Sequence, residues 1–239
     1  MSPRPKVVGA AGILAGIGLA VEGTLFMTRG WTAETFGDPQ AAVAFLTDSG
    51  THLRAAVFAG AINLVFATVF IIGLAARLRA SAPTRSAATL YFGLIGIAGH
   101  SLVPLGLWLG VPMFARLAGD DPQAAAYAWS GYVVSQAAAN AVGSLFLGLS
   151  AFAAGWAIVS RRSMPAVLGW VGLIMGSASA LTVLAADTAL AFLAAAAYFP
   201  SLMLAIVFRI WAGVELWRGE RTAADRDHGQ TAAQGALTP

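Results

Sequence analysis

Six apolar stretches fill most of this chain: Val7–Met27, Leu53–Leu78, Ala87–Gly110, Ala126–Val159, Ala166–Ala186 and Ala189–Trp217. Each meets the roughly 20 residues that an α-helix needs to cross a bilayer. In lipid every backbone N–H and C=O must be bonded within the protein, so open runs of this length are restricted to helices. Charge supply points the same way. Only 10% of the 239 residues are charged, against roughly 25% in a soluble domain, too few to coat a water-facing surface. The expected fold class is therefore all-α: a polytopic membrane helical bundle of six transmembrane helices. It forms one domain over residues 1–218, followed by a disordered cytoplasmic tail over 219–239 whose polar composition shows no apolar period.

The basic residues predict orientation. Arg4 and Lys6 precede the first span. Arg77, Arg79 and Arg85 separate the second from the third, Arg161 and Arg162 the fourth from the fifth, and Arg218, Arg221 and Arg226 follow the sixth. The alternate connections carry Glu34, Asp38, Asp48, Asp120 and Asp121, with Arg29, Arg54 and Arg116. Positive residues stay inside, so both termini are expected in the cytoplasm, in the inner membrane of a bacterium. A basic start and small residues near Gly18 and Ala20 also fit a cleaved signal peptide, although the apolar run resumes through Met27.

Local signals refine this plan. The fourth stretch would reach roughly 50 Å as a helix, so its first turns are expected to stand outside the membrane, with Asp121-Pro122 as N-cap and N1. Asp187 is expected to cap the sixth helix, and a short helix is expected after Asp38. Gly37-Asp38-Pro39-Gln40-Ala41-Ala42 recurs as Asp120-Asp121-Pro122-Gln123-Ala124-Ala125. Gly73, Ala75, Arg79, Ser81 and Pro83 recur as Gly155, Ala157, Arg161, Ser163 and Pro165 at nearly the same offset. A duplicated helical hairpin would produce this pattern, and so would generic span edges. Gly12-x-x-x-Gly16 and Gly172-x-x-x-Gly176 are expected to let helices approach closely.

Ionisable groups inside spans cost about 2.5–3.5 kcal/mol each at a helix centre and mark the candidate site. Glu22 and Arg54 lie at similar depth and are expected to meet as an ion pair. His100 lies near the midplane. Tyr132, Gln136, Asn140 and Ser144 recur every four residues and share one face of the fourth helix. Glu22, Arg54, His100, Gln136 and Asn140 are the candidate ligand-binding residues of an outward-facing polar pocket. The competing account makes the same groups helix glue. Arg209 and Glu215 are expected near the inner interface, with Arg209 snorkelling outward. Pro104 and Pro200 are expected to kink their helices.

Most catalytic chemistry lacks its residues. The chain has no Cys, which excludes disulfides and thiolate metal sites, and no His-Glu-x-x-His or phosphate-binding loop is present. Gly148-Leu149-Ser150-Ala151-Phe152 lacks the second glycine of a serine-hydrolase elbow. Lys6 lies outside every span, where a retinal Schiff base cannot form, and His52 and His100 sit at different depths, unlike paired haem ligands. No catalytic residue, metal or cofactor is expected. The expected partners are the bilayer, a small-molecule ligand, and another membrane protein or a second copy of the chain. Nucleic acid is not among them, because the arginines behind the pI of about 9.8 sit at span edges.

Phe146-Leu147-Gly148, Gly155, Arg161-Arg162-Ser163-Met164-Pro165, Leu168-Gly169-Trp170 and Gly172 form a pattern that resembles the bacterial membrane family catalogued as domain of unknown function 4386. Arg54 opening the second span after a long outer loop is similar to that family too. The resemblance implies a six-helix membrane protein and carries no catalytic residues with it. Three functions remain open: small-ligand binding or transport, a non-catalytic accessory or regulatory subunit, and, least favoured, an intramembrane enzyme.

Overall fold

The computed structural model describes residues 4–28, 38, 41, 44–45, 50–184 and 191–235. Among these, six long helices follow one another: α1 (Pro5–Met27), α2 (Gly50–Leu78), α3 (Pro83–Asp120), α4 (Pro122–Arg161), α5 (Ala166–Leu184) and α6 (Ala191–Gly235). Five contain stretches long and apolar enough to cross a membrane: Pro5–Leu25, Arg54–Leu78, Pro122–Arg161, Ala166–Leu184 and Ala196–Gly219. The third helix is not among them. Its apolar run passes through positions 103–108, several of whose side chains lie outside the described set.

Each helix packs on its neighbours in sequence, and α1 also packs on α6, so the six close into a ring. All the basic connections gather at one end of it. Gly9 lies against Gly213 and Trp217 at that end, Gly73 against Val8, and Gly155 against Gly169. We call this the basic end.

Small residues set the seams. A Cβ on Gly213 would lie 2.7 Å from the Gly9 carbonyl oxygen, and one on Gly176 would lie 2.5 Å from that of Gly148. Backbones this close accept no side chain between them. Gly12 and Gly16 face α6, and Gly172 and Gly176 face α4. Both glycine pairs noted in the sequence thus serve packing within the chain.

The apolar core also sits toward the basic end. Val8, Ala15, Phe70, Leu74, Leu78, Ala154, Ile158, Leu168, Phe208 and Ala212 belong to one buried cluster. Polar ties stitch its rim. Ser86 Oγ donates to the Ala75 carbonyl and Ser150 Oγ to that of Thr89, both at 2.7 Å. Arg85 donates to Ser160 Oγ and lies 4.3 Å from the Trp156 ring centroid. Interhelical bonds of this kind contribute on average about 0.6 kcal/mol each in membrane proteins.

At the opposite end α3 and α4 outrun the apolar stretches and meet at a single residue. Asp121 is extended (φ −150°, ψ 95°), ends α3 and caps α4. Its Oδ1 accepts from the Gln123 and Ala124 N–H groups at 3.0 Å each, with Pro122 at N1, as its position before the fourth span predicts. Phe114, Trp129 and Tyr132 hold this hairpin together, with ring centroids 5.4–5.5 Å apart.

Three expectations need correction or fall elsewhere. The helix α6 continues to Gly235, well past Trp217, where a disordered tail is expected from Gly219. A helix already nucleated propagates readily, and the Ala, Glu, Arg and Gln of this segment are good helix formers. Pro200 stands inside α6 and cannot donate to the preceding turn, as a kink there requires. Asp187 and most of the segment expected as a short helix after Asp38 lie outside the described residues.

Candidate functional site

Above the apolar core three helices place polar groups against one another. Glu22 comes from α1, Asn63 from α2 and Arg209 from α6. Asn63 bridges the other two: its Nδ2 donates to Glu22 Oε2 at 3.2 Å, and its Oδ1 accepts from Arg209 Nη1 at 2.9 Å. Asn63 and Arg209 are 3% and 7% exposed, which removes water as an alternative partner for most of their surface.

Glycines make room for this bridge. Gly18 faces Asn63, with a hypothetical Cβ 3.1 Å from that of Asn63, and a Cβ on Gly60 would collide with Glu22 Oε1. At Gly60 the missing side chain lets the carboxylate lie directly on the α2 backbone.

Arg209 also lies within electrostatic range of His100 on α3, and Tyr198 within range of Glu22. His100 belongs to the α3–α4 seam. Its Nε2 lies 3.4 Å from Ser144 Oγ, and its ring packs on the α4 backbone at Gly143, where a Cβ would lie 2.8 Å from the imidazole. The polar stripe of α4 therefore meets His100 at Ser144. Further toward the hairpin, Gln136 and Tyr132 pack on Gly106 of α3. Tyr132 Oη and Gln136 Oε1 are buried and have no hydrogen-bond partner among the described residues. Asn140 is half-buried between them and Ser144.

Two sequence expectations change here. Glu22 does not pair with Arg54 among the described residues; its partner is Asn63, and Arg54 is exposed at the start of α2. Equal depth along two helices does not fix facing sides. Arg209 does not snorkel to the interface but is buried against Asn63. Side chains on a helix lean toward its N-terminus, which on α6 is away from the basic end, so Arg209 reaches inward. Glu215 instead pairs with Arg218 one turn on, at 3.8 Å. Asn63 escaped sequence reasoning altogether. The usable signal was an amide in the middle of the apolar run Ala61–Ile72.

No group of His, Cys, Asp and Glu suited to a metal ion occurs among the described residues. What the arrangement offers is hydrogen bonding and charge: a carboxylate, an amide, a guanidinium and an imidazole on four helices of one ring.

Fold and polar cluster together define a multi-pass α-helical membrane protein with a charged centre between its helices. Residues 24–214 match the family described as Domain of unknown function (DUF4386), and the chain belongs to it. Asn63, His100 and Arg209 fall inside the matched region and Glu22 just before it. No curated protein and no solved structure matches the chain.

Proposed function

We propose that this protein binds a small molecule in a polar pocket between its helices, reached from the outer side of a bacterial inner membrane, and that it serves uptake or sensing of that molecule. In this reading all six helices span, with both termini in the cytoplasm. The gathering of Arg4, Lys6, Arg85, Arg161 and Arg218 at one end supports the orientation. The recurrence of the Asp-Pro-Gln-Ala-Ala motif supports a bundle built from repeated hairpins.

One observation carries the proposal: Arg209 of α6 is buried against Asn63 of α2, which also bonds Glu22 of α1, so three helices turn polar groups to one interior. Intramembrane charges that face inward are functional by default, given what each costs. The pocket is assigned to Glu22, His100, Gln136 and Asn140, with Asn63 and Arg209 added and the exposed Arg54 left out. Tyr132 and Gln136, with their unsatisfied atoms, line the approach from the hairpin side.

Native mass spectrometry of the protein extracted in mild detergent tests this. The expected result is a reproducible small-molecule adduct in wild type that His100→Ala loses while its thermal unfolding stays cooperative. Bare protein from every preparation would sink it.

A second reading is favoured by the bond chain itself. Glu22–Asn63–Arg209 ties α1, α2 and α6 together, as a non-catalytic accessory or regulatory subunit would require. Co-purification of a stoichiometric partner protein, with no adduct, supports that reading.

A further inference from the structure

We infer that the ligand carries an oxyanion, a carboxylate or phosphate group, which docks on the Arg209 guanidinium and is taken up together with a proton. The inference rests on the pocket reading above and specifies its chemistry.

The geometry of Arg209 is the starting point. A guanidinium is a planar fork of N–H donors with no acceptor. The hydrogen bond from Nη1 to Asn63 Oδ1 is the only one its side chain makes among the described residues. One amide oxygen engages one arm of the fork. The rest of it matches in shape and charge what guanidinium forks bind best, a pair of oxygens on a carboxylate or phosphate.

The position of Glu22 completes the argument. Its carboxylate bonds the far side of the Asn63 amide, so it balances the charge of Arg209 through a spacer and makes no direct hydrogen bond to the guanidinium among the described residues. An arriving oxyanion would then share a single cation with Glu22. Two carboxylates sharing one site disfavour double ionisation, and an uncompensated buried charge is strongly unfavourable. Protonation of Glu22 removes the conflict: the ligand anion enters, a proton binds the Glu22 carboxylate, and the net charge of the cluster is unchanged. The charged and titratable groups that act electrostatically on Glu22 are Arg209 and Tyr198 from α6, with His100 of α3 acting on Arg209 in turn. From α2 the facing groups are the neutral Asn63 and the backbone at Gly60.

The experiment is thermal unfolding of the full-length protein in detergent with acetate, succinate or inorganic phosphate, against chloride at matched ionic strength, at mildly acidic and mildly alkaline pH. At least one oxyanion is expected to stabilise wild type saturably and more strongly at acidic pH. Arg209→Lys keeps the charge but loses the fork, and its apparent affinity is expected to fall by about tenfold or more, the equivalent of one good hydrogen bond. Glu22→Gln, nearly isosteric, is expected to lose the pH dependence of oxyanion binding. Phosphatidylglycerol micelles form a separate arm: a response to them alone identifies a lipid headgroup as the source, and a response to soluble ions alone identifies a free solute. No response to any oxyanion overturns the inference, as does an unchanged affinity in Arg209→Lys or an unchanged pH dependence in Glu22→Gln. A neutral or cationic adduct in the mass spectrum, without any oxyanion response, overturns it while leaving the pocket reading standing.

Discussion

The Arg209 guanidinium donates to Asn63 Oδ1 at 2.9 Å across 146 positions of sequence, and through that amide it is joined to Glu22 on a third helix. A neutral side chain thus holds a cation and an anion apart while bonding both. Removing it leaves a buried guanidinium and a half-buried carboxylate without their bridge. Asn63→Ala is therefore expected to lower stability by about 1.5–3 kcal/mol, the range for hydrogen bonds to charged groups. Thermal or denaturant unfolding in detergent reads this directly. A loss below a few tenths of a kcal/mol would show that the bridge contributes nothing.

Arg54 provides the contrast. It is exposed and outside this network, so Arg54→Ala should change stability by no more than about 0.5 kcal/mol. A double-mutant cycle of Glu22→Gln with Arg54→Ala should be additive within about 0.5 kcal/mol, and one of Glu22→Gln with Asn63→Ala should not.

Gly60→Ala would drive a methyl group into Glu22 Oε1, whereas a Cβ at Gly119 or Gly131 meets nothing within 4 Å. The first substitution should push the carboxylate off Asn63 and destabilise by about 0.5–1.5 kcal/mol, the cost of one hydrogen bond. The other two should be neutral or stabilise by up to about 1 kcal/mol through helix propensity. Expression level and unfolding temperature of the three variants, taken side by side, check the prediction.

The α4–α5 seam should be equally unforgiving. Gly176→Ala places its new carbon against the Gly148 carbonyl, and polar backbone in lipid has nowhere else to go. A loss of about 1–3 kcal/mol is expected, with near-wild-type behaviour ruling out the close approach.

Orientation is open to a direct assay because the chain contains no Cys. Single cysteines at Ala80 and Ser163 should react with a membrane-impermeant maleimide only after the cells are opened, and one at Gly119 should react on intact cells. The reverse pattern would invert the proposed topology.

How much of this was legible in the sequence follows from what each signal measures. Helix positions came from apolar length, and the Asp121 cap from the chemistry of an Asp-Pro pair. The shared face of Tyr132, Gln136, Asn140 and Ser144 came from spacing, because four-residue periodicity survives in any solvent. The partner of Glu22 did not. In lipid the outward face of a span is as apolar as the core, as Val65, Leu109 and Val134 illustrate with more than 60% of their surface exposed. The amphipathic signal that orients a soluble helix is therefore missing, and depth alone paired Glu22 with the wrong arginine. Arg209 was misplaced for a related reason: distance from the membrane edge was counted along the helix axis, whereas its long side chain leans toward the helix N-terminus.

The uneven filling of the ring has a mechanical consequence. Its buried apolar cluster lies toward the basic end, while Glu22, Asn63, His100 and Arg209 stand above it. Under the proposed pocket reading, a solute reaching these groups would meet a plug rather than a channel, and passage across the bilayer would demand that helices slide past one another. The parts best suited to slide are the close backbone contacts at Gly9 with Gly213 and Gly148 with Gly176, bearings on either side of α5 and α6. If the protein moves a solute as proposed, bulk added at either bearing should stall transit while leaving capture by the polar groups above intact.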